Sequence, residues 1–182
     1  MRHTTLLLLF CAFLSASCSN SVTGPNGGQN LLTNSTFEIN GKPSLEGWVV
    51  PDTSAVHFSS DVPQGGSGSS IVMHIGQFAP WPGNSVFATV IPPQGTHSYS
   101  LSVFDMGAGG GVFVYLNRPN TSNSSLVASL RTQGTASWVL STQTDTLSTM
   151  PGDTVFVTIS GGGSPEVGGT SYYNTCTFEL LK

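Results

Sequence analysis

The chain has 182 residues, of which 8% are charged, and its five Lys and Arg stand against nine Asp and Glu for a formal net charge of −4. So few cations, with no Lys/Arg cluster, leave no electrostatic footprint for nucleic acid and no polybasic patch for lipid headgroups. Sparse charge with abundant Ser, Thr and Gly suits an all-β domain outside the cytoplasm that meets a neutral ligand.

In chain order, Arg2 and His3 form a short positive region, and Leu6 to Leu14 is an apolar run too short to span a bilayer. Small residues follow at Ser15, Ala16 and Ser17, so residues 1–17 read as a targeting segment. The order Leu14-Ser15-Ala16-Ser17-Cys18 resembles a bacterial lipobox. That resemblance implies a lipoprotein signal peptide, with Cys18 as the lipidated, palmitate-bearing first residue of a mature protein anchored in the cell envelope, facing the periplasm or the exterior. Ser15 stands where the usual Leu would be, and ordinary cleavage with an unmodified Cys18 is the alternative. Residues 18–29 are rich in Gly, Ser and Asn and read as a flexible tether. Of the three Cys, Cys11 leaves with the signal and Cys18 carries lipid, so residues 30–182 have only Cys176 and depend on their core rather than on a disulfide. A domain of ~150 residues buries roughly two-thirds of its unfolded surface, which is enough.

From Leu31 onward the pattern is strand and turn. Leu31, Leu32 and Phe37 are core candidates, and Asn34, Ser35 and Thr36 suit a turn because short polar side chains bond nearby backbone. Glu38 follows an aromatic anchor at a strand end, where a carboxylate is exposed, capped or metal-bound, because burying it unpaired is costly. Alternating apolar residues then predict strands at Ile71-Met73-Ile75, Val86-Ala88-Val90, His97 to Asp105, Val112-Val114-Leu116, Leu126 to Leu130, Ser137 to Leu140, Val155-Val157-Ile159 and Tyr172 to Leu181. Clusters such as Pro80-Trp-Pro-Gly83, Pro92-Pro-Gln-Gly95 and Pro151-Gly-Asp153 punctuate them, and Gly107 to Gly111 reads as a hairpin turn. About eight to ten strands predict an all-β, two-sheet antiparallel β-sandwich of jelly-roll type.

Alternation also assigns faces. With Val112, Val114 and Leu116 inward, Phe113, Tyr115 and Asn117 point out; by the same rule Phe156, with Thr154 and Thr158, and Tyr173, with Thr175 and Thr177, point out. Tyr172, Asn174, Cys176, Phe178 and Leu180 then share the opposite side of the last strand. Outward aromatics flanked by hydroxyls and amides can stack on the CH face of a sugar ring and pair with its hydroxyls. Trp81, in a loop between two prolines, is a further stacking candidate.

Catalytic signatures are missing from the sequence. His57, His74 and His97 lie in different runs with no metal-ligand spacing, there is no Gly-x-Ser-x-Gly elbow, and Asp52, Asp61, Asp105 and Asp153 sit mostly near turns. The reading is a non-enzyme.

The segment Asn30-Leu-Leu-Thr-Asn-Ser-Thr-Phe-Glu38, with Gly41, Pro43, Gly47 and Trp48 after it, resembles the opening of carbohydrate-binding modules of families 4, 9 and 22, which are galactose-binding-like jelly rolls. Gly68 to His74, Tyr99 to Phe104, Gly134 to Trp138 and Tyr172 to Phe178 continue the resemblance through residues 30–182. It implies a single non-catalytic, monomeric module binding a polysaccharide or oligosaccharide, with Trp48 and Trp138 packed inside the sandwich. It also implies a structural calcium ion near Glu38, weakened here because Asn174 replaces the usual Asp with a neutral amide. The alternative function is a structural or adhesive envelope protein that holds a protein partner through the same fold.

Overall fold

Valine, isoleucine and aromatic residues alternating with Ser and Thr favour pleated, half-buried strands, and the glycine and proline clusters between them cannot continue a ladder. A computed structural model describes residues 28–75, 84–162 and 169–181, and among these there is no helix. Cys18, residues 1–17, most of the tether and Trp81 lie outside the described residues. The strands are β1 (Gln29–Asn30), β2 (Glu38–Ile39), β3 (Lys42–Pro43), β4 (Val56–Ser59), β5 (Ser70–Ile75), β6 (Ser85–Val90), β7 (Gly95–Gly107), β8 (Gly110–Asn117), β9 (Ser125–Thr132), β10 (Thr135–Thr149), β11 (Thr154–Gly161) and β12 (Gly169–Leu180).

They form an antiparallel jelly-roll sandwich. One sheet runs β10-β7-β12-β5-β4, with β1 also on β12; the other runs β6-β11-β8-β9, and β2 and β3 make a small hairpin. The first four strands are short, which is why apolar alternation does not reveal them. β10 is far longer than the Ser137 to Leu140 run, because its Ser/Thr-rich remainder lies at a sheet edge with one neighbour, where polar residues are tolerated and discourage further pairing.

The core fills the space between the sheets. Val86, Val112, Val114, Val155, Val157 and Ile159 from the four-stranded sheet meet Ile71, Met73, Leu101, Val103, Tyr173 and Phe178 from the other, all buried. The rings of Tyr99 and Phe178 stack with centroids 4.8 Å apart. Trp48 is buried against Phe37 and donates its indole N–H to the Asn34 carbonyl at 2.7 Å. Trp138 is not in the core: it sits half-buried on the outer side, edge-on to Tyr172, donating to Asp61 Oδ1 at 3.3 Å.

Two irregularities redirect side chains. In β12 the register shifts between Asn174 and Thr177, with Thr175 at φ 44°. The extra residue flips the phase upstream of it, so Tyr173 lies inside at 0% exposure instead of pointing out, while Cys176 and Phe178 keep their inward places. Thr177 does face away from the core but is buried, its hydroxyl 2.6 Å from that of Ser102. In β10 the pairs Thr135↔Gly107 and Val139↔Asp105 enclose a second shift, which throws residues 136–138 out of register with β7.

The Gly107 to Gly111 segment is not a hairpin. β7 and β8 belong to different sheets, and the turn carries the chain across the sandwich. Gly110, at φ 124°, has no room for a side chain: a Cβ would lie 2.2 Å from the Ser160 carbonyl and 2.3 Å from the Tyr173 hydroxyl.

Candidate functional site

The outer face of the four-stranded sheet collects most of the outward aromatics. Because Val112, Val114 and Leu116 turn inward from β8, Phe113, Tyr115 and Asn117 lie on the other face, partly exposed. β11 repeats the pattern, with Val155, Val157 and Ile159 in and Thr154, Phe156 and Thr158 out. The ladder places Phe156 opposite Tyr115, Thr158 opposite Phe113 and Thr154 opposite Asn117. Asn117 reaches Thr154 Oγ1 at 3.5 Å.

A fourth aromatic joins them. Phe87 projects outward from β6 between buried Val86 and Ala88, opposite Thr158, and its ring meets that of Phe156 edge-on at 5.9 Å. The alternation Val86-Ala88-Val90 already implied an outward Phe87, but no reading of single strands could show that β6 adjoins β11. Phe87, Tyr115 and Phe156, with Thr158 and Ser124, line an open depression of about 400 Å³. Phe113 shares the face but does not line the depression; its ring leans over Gly111, where an added Cβ would be 3.2 Å from Phe113 Cζ.

Chemically, the depression presents aromatic rings, hydroxyls and no charged group. Such a surface stacks on apolar CH faces and exchanges hydrogen bonds with neutral hydroxyls, and it has no nucleophile or acid/base pair. Tyr173 belongs elsewhere. Its phenol is enclosed at the sheet crossing, with the Gly109 and Ser160 carbonyls 2.8 and 2.7 Å away, and burial pushes its pKa well up.

Asn174, one of the two residues expected near calcium, is tied by hydrogen bonds into the 63–69 loop. The Asn174 side-chain amide donates to the Ser67 and Ser69 carbonyls at 3.0 and 3.1 Å, and its oxygen accepts from Thr175 Oγ1 at 2.7 Å. Its hydrogens thus face the carbonyls that a cation there would need as ligands, and its oxygen is already engaged. Glu38 is half-buried on β2, and among the described residues no cluster of three His, Cys, Asp or Glu could hold a metal ion.

No protein-family profile and no curated protein sequence matches this chain. Solved structures do. The chain is similar to a family 16 carbohydrate-binding module (TM-score 0.54, 20% identity, covering 82% of this chain and 99% of that one). It is also similar to TmCBM61, solved in complex with β-1,4-galactotriose (TM-score 0.52, 18% identity, 84% and 99% covered). A third likeness is to the CBM22-1 xylan-binding domain of Paenibacillus barcinonensis Xyn10C (TM-score 0.50, 14% identity, 81% and 92% covered). At these identities the likeness carries the fold, and the fold is the jelly roll of carbohydrate-binding modules.

Proposed function

We propose that this protein is a non-catalytic glycan-binding module and that the outer face of β6, β11 and β8 holds the sugar chain. The observation that carries this reading is the uncharged depression in which Phe87, Tyr115 and Phe156 lie beside Thr158 and Ser124. Its volume of about 400 Å³ falls at the lower end of small-ligand sites, and it is open to solvent. The fold shared with modules solved with galactotriose, or described as xylan-binding, supports the same ligand class.

Affinity electrophoresis against a panel of neutral polysaccharides tests the reading. Tyr115→Ala and Phe156→Ala should each weaken retention about tenfold, which corresponds to ~1.4 kcal/mol, with little change in melting temperature because both rings are already partly in water. Unchanged retention in both variants, or no retention of any polysaccharide by the native chain, would overturn it.

The anchor is part of the same proposal. The lipobox-like run ending at Cys18 supports attachment to a membrane by acyl chains, which contribute ~0.8 kcal/mol per buried methylene. Cys18→Ala should move the protein from the membrane to the soluble fraction; continued sedimentation with membranes would contradict lipidation.

A further inference from the structure

A second cavity lies at the register shift in β10, on the flank where the edges of the two sheets meet. Normal pairing would have kept β10 alongside β7, but residues 136–138 depart and rejoin at Val139↔Asp105. The space left is about 300 Å³ and is lined by Asp105, Arg131, Gln133, Thr135, Val139 and Ser141. None of these belongs to the aromatic depression.

Asp105 is the unusual member. It points toward the sandwich interior in line with Tyr99, Leu101 and Val103, and is only 2% exposed. Ser141 donates to its Oδ2 at 2.9 Å, and Thr132 and the Tyr173 phenol lie close to it, yet no cation offsets its charge: the one ion pair among the described residues is Arg118 with Asp153. Burial accordingly raises its pKa, which means that the charged form is held at a cost to the fold. Arg131 stands on the exposed rim of the same cavity, likewise without an ion-pair partner among the described residues.

The chemistry narrows the occupant. An ionised carboxylate only accepts hydrogen bonds and a guanidinium only donates, while Gln133 and Thr135 do both. An anion would meet the Asp105 charge at the floor, and a small cation would find one carboxylate beneath an arginine. An apolar molecule would leave the carboxylate unsatisfied, at the desolvation cost of an unpaired buried group. A neutral molecule with several hydroxyls donates to Asp105 and accepts from Arg131 at once.

We infer that this flank cavity is a second binding site, for a single sugar ring held by hydrogen bonds to Asp105, Arg131 and Gln133 rather than by stacking. It stands independently of the aromatic depression, since no aromatic side chain lines it. A cavity of this size matches one ring and suits a free monosaccharide or the end of a chain.

Titrating the ¹⁵N-labelled full chain with glucose, galactose, mannose, xylose and arabinose, read by amide chemical shifts, tests the inference. At least one sugar should move the amides of Asp105, Arg131, Gln133 and Ser141 with saturation. Asp105→Asn and Arg131→Ala should each weaken that response about tenfold, whereas Tyr115→Ala should leave it intact. Arg131 is on the rim, so its variant reports binding even if the Asp105 variant were misfolded. No response to any of the five sugars, or a response that survives both substitutions, overturns the site. Shifts confined to Phe87, Tyr115 and Phe156 would reject this site and leave the aromatic one standing; shifts confined to the Asp105 set would support this site and leave the aromatic one to the polysaccharide test.

Discussion

Asp105 gives the clearest link between protonation and stability. In the folded chain its pKa is raised by desolvation above the ordinary value of 3.8, with the nearby Ser141 and Thr132 hydroxyls partly opposing the shift. Between the two pKa values the folded state therefore binds more protons than the unfolded state, so stability falls as pH rises through that window and the penalty is complete above it. Asp105→Asn keeps an oxygen to accept from Ser141 and removes the charge. It should raise the melting temperature at pH 7, by ~2–4 °C for each kcal/mol relieved, and the advantage over the native chain should shrink as pH falls toward the ordinary carboxylate range. Thermal denaturation across that range checks the sign. A variant that melts higher but no longer binds would mark Asp105 as a group kept for a ligand and not for the fold.

At the scale of elements, the two bulges decide what each edge presents. The β12 bulge turns Asn174 toward the 63–69 loop, where its amide pins the Ser67 and Ser69 carbonyls while Ser67 N–H donates to Thr175 Oγ1. Asn174→Ala strands two carbonyls and should cost about 1–3 kcal/mol, measured by chemical denaturation. Asn174→Asp places a negative charge against the same carbonyls. That variant should be destabilised in chelator and regain melting temperature with added calcium, whereas the native chain should not respond, because its amide already occupies the position between the carbonyls. A calcium-dependent shift in the native chain would show that the amide can be displaced.

For the whole molecule, the sandwich is held by a continuous apolar layer that includes Cys176, a free thiol at 0% exposure whose pKa is raised by burial. A thiol that is buried and protonated does not react with aqueous disulfide reagents, since the thiolate is the nucleophile. Native-state labelling of Cys176 should therefore proceed only at the rate of global unfolding, and labelling at the rate of a free thiol would mean that the sheets part locally. Because β12 contacts β7, β5 and β1, separating it dismantles the larger sheet. Local opening there should be the rarest.

Alternation of apolar and polar residues by itself determined the sandwich, the inward set of β8 and β11, and hence the outward Phe113, Tyr115, Asn117 and Phe156, because side chains on a regular strand have only two directions to take. The Trp48 core position followed from its resemblance to a known module opening. Alternation alone misplaces Tyr173, because a bulge adds one residue to a strand without leaving a mark in the apolar pattern, and it cuts β10 short, because the rest of that edge strand is mostly polar. Only the tertiary structure brought Phe87 beside Phe156, set the Asn174 amide at the Ser67 and Ser69 carbonyls, and left Asp105 buried next to an open flank. Those arrangements depend on which strands become neighbours, and strand order is fixed by packing between residues far apart in sequence.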